Sequence, residues 1–271
     1  MNLFQAACRL HVNGVAMWAP RLPGWERART ILSGGEAAPT LPATRPSPEL
    51  LPPNERRRAP DTVAVALEVA LAACRNADLE PTALSCVFGS THGDLAITDY
   101  MCSTLASTPA QLSPTRFHNS VHNAAAGYWT IGADCVRPYT AISAGAYTFG
   151  AGLLEASAQA LSSGENILFV CYDIDARGPL ATMAPSNGLL SSALVLGPQH
   201  GPRVLAALDL TLNTADGLIA SRARAGNAAL VAGNASETCL PFMEALALGG
   251  ERDIVCLAAP GLGLTLSLRP I

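Results

Sequence analysis

The sequence predicts a layered α/β fold. Three observations carry that reading. "NILFVCYDI" (166–174) is a strand-like run without polar alternation, as expected of a sheet covered on both faces. "LSCVFGS" (84–90), "PYTAISA" (138–144) and "LLSSALVLG" (189–197) are further short runs with strand character. Between them lie longer stretches of helical period and length, so strands alternate with covering helices.

Taken in order, "FQAACRLHVNGVAMWAP" (4–20) predicts a first strand region. Residues 33–60 are rich in proline and break both periodicities, which predicts an extended excursion rather than a domain linker. Its "ERRR" run reads as a solvated face or as a partner contact. A largely buried helix is expected from Asp61, a candidate cap, through Val65, Leu67, Val69 and Leu71 to about Asn76. Residues 94–107 and 119–132 predict helices, with "STPAQLSPTRF" as the loop between them. The strand at 138–144 leads into a helix over 146–162 that ends at Ser163-Gly164. Strands at 189–197 and 203–212 follow as neighbours. A Gly/Ala-rich loop, a helix over 237–248 and the strands "DIVCLAA" and "LTLSLRP" complete the chain.

The 271 residues suffice for a large core, and 49% of them are hydrophobic against only 14% charged. So low a charge density points to surface covered by a partner. The net charge of −4 gives no support to a nucleic-acid surface. No apolar run reaches membrane-spanning length, and the N-terminus lacks a basic start, apolar block and small-residue cleavage site, so a cytoplasmic protein is expected. The 8 cysteines never form CxxC and read as buried, reduced thiols.

"VRPYTAISAGAYTFGAGLLEA" (136–156) predicts a strand, a sharp turn and a helix of small residues. Such turns seat nucleophiles, because a helix N-terminus stabilises negative charge. The turn here is Ala144, Gly145, Ala146 and Tyr147, with neither Cys nor activated Ser at its apex. Without a GxSxG elbow a serine hydrolase is not supported. His118 and His122 stand four apart without a third ligand, so no metal site is expected.

"FHNSVHNAAAGYWTIG" followed by "RPYTAISAGAYTFGAGLLEA" resembles the N-terminal half of a β-ketoacyl synthase of the thiolase fold. Aligning Asn123, Gly127 and Pro138 without a gap puts Ala146 where such an enzyme carries its catalytic Cys. A looser alignment, with a deletion in the strand, puts Ile142 there. The likeness covers roughly residues 60 to 200. After His122 the chain has a single histidine, His200, outside any "HGTGT"-like motif. "LLPPNERRRAP", "NSVHNAAAGYW" and "AGLLEA" resemble the short chain length factors of aryl polyene and xanthomonadin-type pigment clusters.

That resemblance implies one ketosynthase-like domain over 1–271, thiolase-like and layered α/β/α. Its N-terminal half, about 1–200, is complete; its C-terminal half, about 201–271, is shortened and degenerate. It implies no cofactor and no catalytic residue, since condensation needs a thiolate and paired His or Asn donors. It implies a heterodimer with an active β-ketoacyl-ACP synthase that handles chains on acyl carrier protein, the strand at 138–144 forming the seam with Asn119, Asn123, Tyr139, Thr140 and Ile142. His92, Arg116 and Phe117 would gate the partner's acyl tunnel. Each has a plainer reading: a turn hydrogen bond for His92, a surface ion pair for Arg116 and core packing for Phe117. Asn119 and Asn123 read as caps and backbone braces, Ser143 as strand-bound, and Tyr147 as packing. An acyl-ACP-processing decarboxylase or acyltransferase remnant, or a homodimeric acyl-binding protein, are the alternative functions.

Overall fold

The computed structural model describes residues 8–214 and 217–271. The chain runs through β1 (Cys8–Ala19), β2 (Leu22–Pro23), α1 (Trp25–Ser33), α2 (Pro53–Arg58), α3 (Asp61–Ala77), β3 (Ser85–Gly89), α4 (Leu95–Ser107), α5 (Pro114–His118), α6 (Ala124–Gly132) and β4 (Tyr139–Ile142). It continues through α7 (Thr148–Ser163), β5 (Ile167–Asp173), α8 (Leu180–Met183), β6 (Leu190–Gly197), β7 (Ala206–Thr214), α9 (Ala225–Ala228), α10 (Leu240–Leu248), β8 (Arg252–Ala259) and β9 (Leu262–Arg269).

The strands form one mixed sheet in the order β4-β3-β5-β6-β1-β7-β9-β8, with β2 paired to β1. β4, β3 and β5 are parallel, and every pairing beyond β5 is antiparallel. α3 and α6 pack on one face, and α1, α7 and α10 on the other. β5 is buried along its whole length, as its unbroken apolar run requires. β1 bridges the two parts of the sheet, pairing with β6 and with β7. A register shift between Val12 and Gly14 lets Leu10, Val12, Val15 and Met17 all join the same core. Gly14 lies under α3, where a Cβ would sit 2.7 Å from that of Ala77, so glycine sets the helix-to-strand distance.

β7, β9 and β8 alternate between buried and half-exposed positions. Polar pairs lace their outer face. Arg9 clamps Asp209 at 2.7 Å and Arg269 reaches it at 3.3 Å. Asn213 donates to Thr265 Oγ1 at 2.7 Å, and Ser267 to Asp253 at 2.5 Å. A hydrogen bond from Arg9 holds the Asp209 carboxyl below its ordinary value. This is a sheet with one wet face, unlike the doubly covered β3–β5–β6 region.

α7 lies on β3 and β5 and also meets β8. A Cβ on Gly150 would overlap the carbonyl of Leu257 in β8, and one on Gly152 would overlap the Phe169 ring in β5. Two glycines two residues apart thus bring α7 hard against both parts of the sheet.

The sheet's two edges differ. At β8, Ser221 donates its backbone N–H to Val255 O and accepts from Val255 N, both at 2.9 Å. At β4, Pro138 and Ile142 turn their carbonyls to β3, accepting from Cys86 N at 3.0 Å and Ser90 N at 3.2 Å. Because backbone direction alternates, Thr140 also faces β3, and Tyr139 and Ala141 turn their N–H and C=O groups outward. Those groups have no partner among the described residues.

The sequence reading needs several corrections. α1 was not foreseen, and the proline-rich excursion contains α2. Asp61 is the first helical residue, not the cap: Pro60 occupies that place, and the Asp61 carboxyl instead pairs with Arg45 at 2.7 Å. The helix expected over 119–132 begins only at Ala124, since 119–123 are turns. β6 and β7 are not neighbours, because β1 lies between them. Residues 4–7 of the first expected strand lie outside the described residues.

Gly150→Ala must move backbone, whereas Gly127→Ala in α6 meets nothing within 4 Å. Chemical denaturation should show a loss of about 3 kcal/mol for Gly150→Ala. Gly127→Ala should be neutral or gain up to about 1 kcal/mol.

Candidate functional site

The parallel strands β4, β3 and β5 end on one side, so their C-terminal loops converge there, where open α/β sheets place their sites. Asp173, the last residue of β5, is the hub and is only 1% exposed. Its carboxyl accepts from Ser236 Oγ at 2.6 Å, Ser90 Oγ at 2.9 Å, Thr91 N at 3.0 Å and His92 N at 3.2 Å. These donors replace water, which makes burial of the group tolerable. Ser90 Oγ in turn accepts from Gly93 N at 2.9 Å, closing the 90–93 loop.

The second part of the chain braces the same spot. Asn234, buried, donates to Asn187 O and Gly188 O at 3.0 Å and accepts from Ser236 N at 2.9 Å. Thr91 Oγ1 lies 3.3 Å from Gly145 O and Thr148 Oγ1 and 3.4 Å from Ala235 O. The loops at 90–93, 144–148 and 234–236 therefore lock together.

Within that lock sits the turn 144–147. Gly145 has φ +57°, which favours glycine. Thr148 Oγ1 accepts from Ala144 N at 3.0 Å and donates to Gly145 O at 2.8 Å. Ala146 is exposed at the start of α7. The turn joins β4 to α7 and presents the Ala146 methyl group at its exposed end.

The surrounding groups do not supply an alternative. Ser143 Oγ donates to Thr91 O at 2.9 Å. His122 Nε2 lies 2.8 Å from Ser90 O, a carbonyl that can only accept, so this nitrogen carries the proton and is no base. The Cys171 thiol beside Ser236 is raised well above its ordinary value by burial. Burial likewise pushes the Cys74, Cys239 and Cys256 thiols up to about 12, far from thiolate chemistry. Among the described residues no three potential metal ligands cluster, and no helix is long and apolar enough to cross a membrane.

The residues singled out in the sequence separate into two groups. His92 joins the lock through its backbone, and Ile142 packs at the core beside Gly89. Asn123 holds the N-cap position of α6 without a side-chain capping bond; its Nδ2 instead donates to Tyr139 Oη at 2.9 Å, bracing the bare edge. Thr140 accepts from Gln159 Nε2 at 3.0 Å, which ties β4 to α7. Arg116 and Phe117 lie on α5, which packs on α4. Arg116 forms no ion pair among the described residues: its guanidinium stands 3.9 Å over the Tyr100 ring. Phe117 is no core residue, being 58% exposed. Asn119 is buried and caps the C-terminal end of α5 by position only. Ser143 falls just beyond β4 rather than in it. His118 ends α5 and His122 lies in the following turn, so they share no helix. Sequence reasoning missed Asp173, Ser236, Asn234 and Thr91. The only signal was a polar cluster, "GNASE", in a stretch read as a featureless loop.

The profile of the beta-ketoacyl synthase N-terminal domain matches residues 25–248. Among solved structures, a ketosynthase (ApeO) in complex with its chain length factor (ApeC) from Xenorhabdus doucetiae contains a chain that matches with a TM-score of 0.69 and 22% identity, over 98% of this chain and 100% of that one. The ishigamide ketosynthase/chain length factor matches with 0.72 and 16%, over 97% and 99%. A ketosynthase of the bacillaene polyketide synthase in Bacillus amyloliquefaciens matches with 0.57 and 10%, over 79% of this chain but only 46% of that one. These likenesses show a thiolase-like ketosynthase fold. No curated protein matches the sequence.

Asp173→Asn would turn amide hydrogens toward donors that need an acceptor. It should cost about 2–4 kcal/mol in chemical denaturation and speed hydrogen exchange at the Thr91 and His92 amides selectively. Unchanged protection there would mean that the carboxyl does not hold the lock.

Proposed function

The chain belongs to the beta-ketoacyl synthase N-terminal domain family, and on that premise we propose that it is a non-catalytic chain length factor. It pairs with an active β-ketoacyl-ACP synthase and shapes the length of a polyene or fatty acyl chain carried on acyl carrier protein. The observation that carries this reading is the turn 144–147, kept in full backbone form with Ala146 at its apex. Condensation requires a thiolate to hold the acyl chain and donors for the enolate and oxyanion. Neither Ala146 nor the engaged groups around it supply them, so the chemistry falls to another subunit.

The retained structure suits pairing. Tyr139 and Ala141 offer a backbone edge that is unpaired among the described residues, and an exposed strand edge invites addition of another strand. Exposed apolar residues occur before and within that strand: Ile131 at 80%, Val136 at 95% and Tyr139 at 38% exposure. An obligate interface here would bury on the order of 2,000 Å² or more. Asn123, through Tyr139, would set the edge residue's orientation, and Asn119, Thr140 and Ile142 would support the seam from behind. The shortened C-terminal part, from about residue 201, would leave the pairing half intact. Phe117, Arg116 and His92 would meet the partner's acyl tunnel.

Co-purification tests the pairing. Ala141→Pro removes an outward N–H and should abolish capture of the co-expressed synthase while the isolated chain stays folded. Thr140→Pro removes an inward ladder donor and should destabilise the chain itself. If Ala141→Pro leaves the complex intact, the seam lies elsewhere.

Product length tests the gate. Each buried CH₂ gains roughly 0.8 kcal/mol, so room for two more carbons shifts length preference about tenfold. Phe117→Ala and His92→Ala, assayed in the complex, should give a red-shifted, heavier product with a smaller change in rate. An unaltered product from normally assembled variants would remove these residues from the tunnel.

A further inference from the structure

A cleft of about 570 Å³ opens between the N-terminal ends of α3 and α4, the helix α5 and the segment after β5. Arg58, Arg116 and Arg177 line it from three separate elements. All 17 cationic side chains of this acidic protein are arginines. Arg58 and Arg116 have no carboxylate partner among the described residues; Arg177 shares Asp175 at 3.1 Å. The two acids in the cleft wall are already engaged. Asp61 holds Arg45, and Asp94 accepts from Thr62 Oγ1 and Ile97 N, both at 2.9 Å.

A second observation points to a ligand. Asn119 lines the cleft and is only 4% exposed, yet its buried Oδ1 has no hydrogen-bond partner among the described residues. A buried acceptor oxygen without a donor costs stability, so its retention calls for an occupant that donates to it. The volume lies within the range of small-molecule sites, and Ile97 and Ile174 give the cleft an apolar part.

We propose that this cleft binds an organic phosphate, its phosphate held by Arg58, Arg116 and Arg177 and its body hydrogen-bonded to Asn119. Guanidinium forks match phosphate oxygens, and an amide or hydroxyl on the body satisfies the carboxamide. The helices α3 (17 residues) and α4 (13 residues) start at the wall and add their positive ends. The ligand comes either as a free molecule or as a phosphate-bearing arm on a carrier protein. Only the second source rests on the partner proposed above.

The free probe is 4′-phosphopantetheine, which carries a phosphate and amide N–H groups, compared by calorimetry with pantetheine, which lacks the phosphate. Phosphopantetheine should bind the purified chain at least about tenfold more tightly, and Arg58→Gln should remove about that factor without changing Tm. For the carrier source, phosphopantetheinylated acyl carrier protein should bind more tightly than its unmodified form, again dependent on Arg58. Either result supports the site and identifies the source. The proposal is overturned if phosphopantetheine and pantetheine bind alike, or not at all up to about 10 mM, and the two carrier forms also bind alike. It is equally overturned if the phosphate-dependent binding survives Arg58→Gln and Arg177→Gln together. Pairing with a synthase can persist in either case, so the two readings fail separately.

Discussion

Everything at the site depends on how closely α7 approaches the sheet. Gly150 lies against the Leu257 carbonyl and Gly152 against the Phe169 ring, with no space for a methyl group at either contact. Main-chain atoms of β8 cannot yield as a flexible side chain would, so the helix has essentially one axial and rotational setting. Its N-terminal end then fixes where Thr148 and the turn 144–147 stand. The antiparallel second part of the sheet is needed for this, because β8 forms one jaw of the clamp. A chain with only the parallel strands would leave α7 free on one side.

The Asp173 hub is a second consequence of bringing the two parts together. Ser90, Thr91 and His92 come from the loop after β3, and Ser236 from a loop before α10. One carboxyl thus ties distant segments together around the turn 144–147. A buried polar hub is costly if any donor is lost, yet fully satisfied it specifies a single arrangement. On the proposed reading, a hub of this cost around a turn bearing only Ala146 preserves geometry rather than reactivity. The edges agree with that view. Ser221 covers β8, whereas β4 presents the backbone of Tyr139 and Ala141 uncovered.

Much of this was legible in the sequence because burial on both faces leaves a plain mark. The unbroken run at β5 and the small-residue helix α7 announced themselves through composition alone, as did the strand–turn–helix around Ala146. The motif around Asn123 and Gly127 carried the family. What escaped notice depended on long-range pairing. Nothing local places β1 between β6 and β7, and nothing in "ERART" declares that α1 packs on α10. Asp61 looks like a cap until Arg45, sixteen residues earlier, takes its carboxyl. Asp173 reads as the polar end of an apolar strand, and Ser236 as loop; only their 2.6 Å contact makes them a site.

The central claim is that this chain shapes an acyl chain without ever holding it covalently. Intact-mass spectrometry of the co-purified complex after incubation with acyl-loaded carrier protein tests it most directly. The account predicts an acyl mass increment on the partner synthase alone, with this 28.0 kDa chain unmodified. An acyl adduct on this chain, mapped to any of its own side chains, would contradict it.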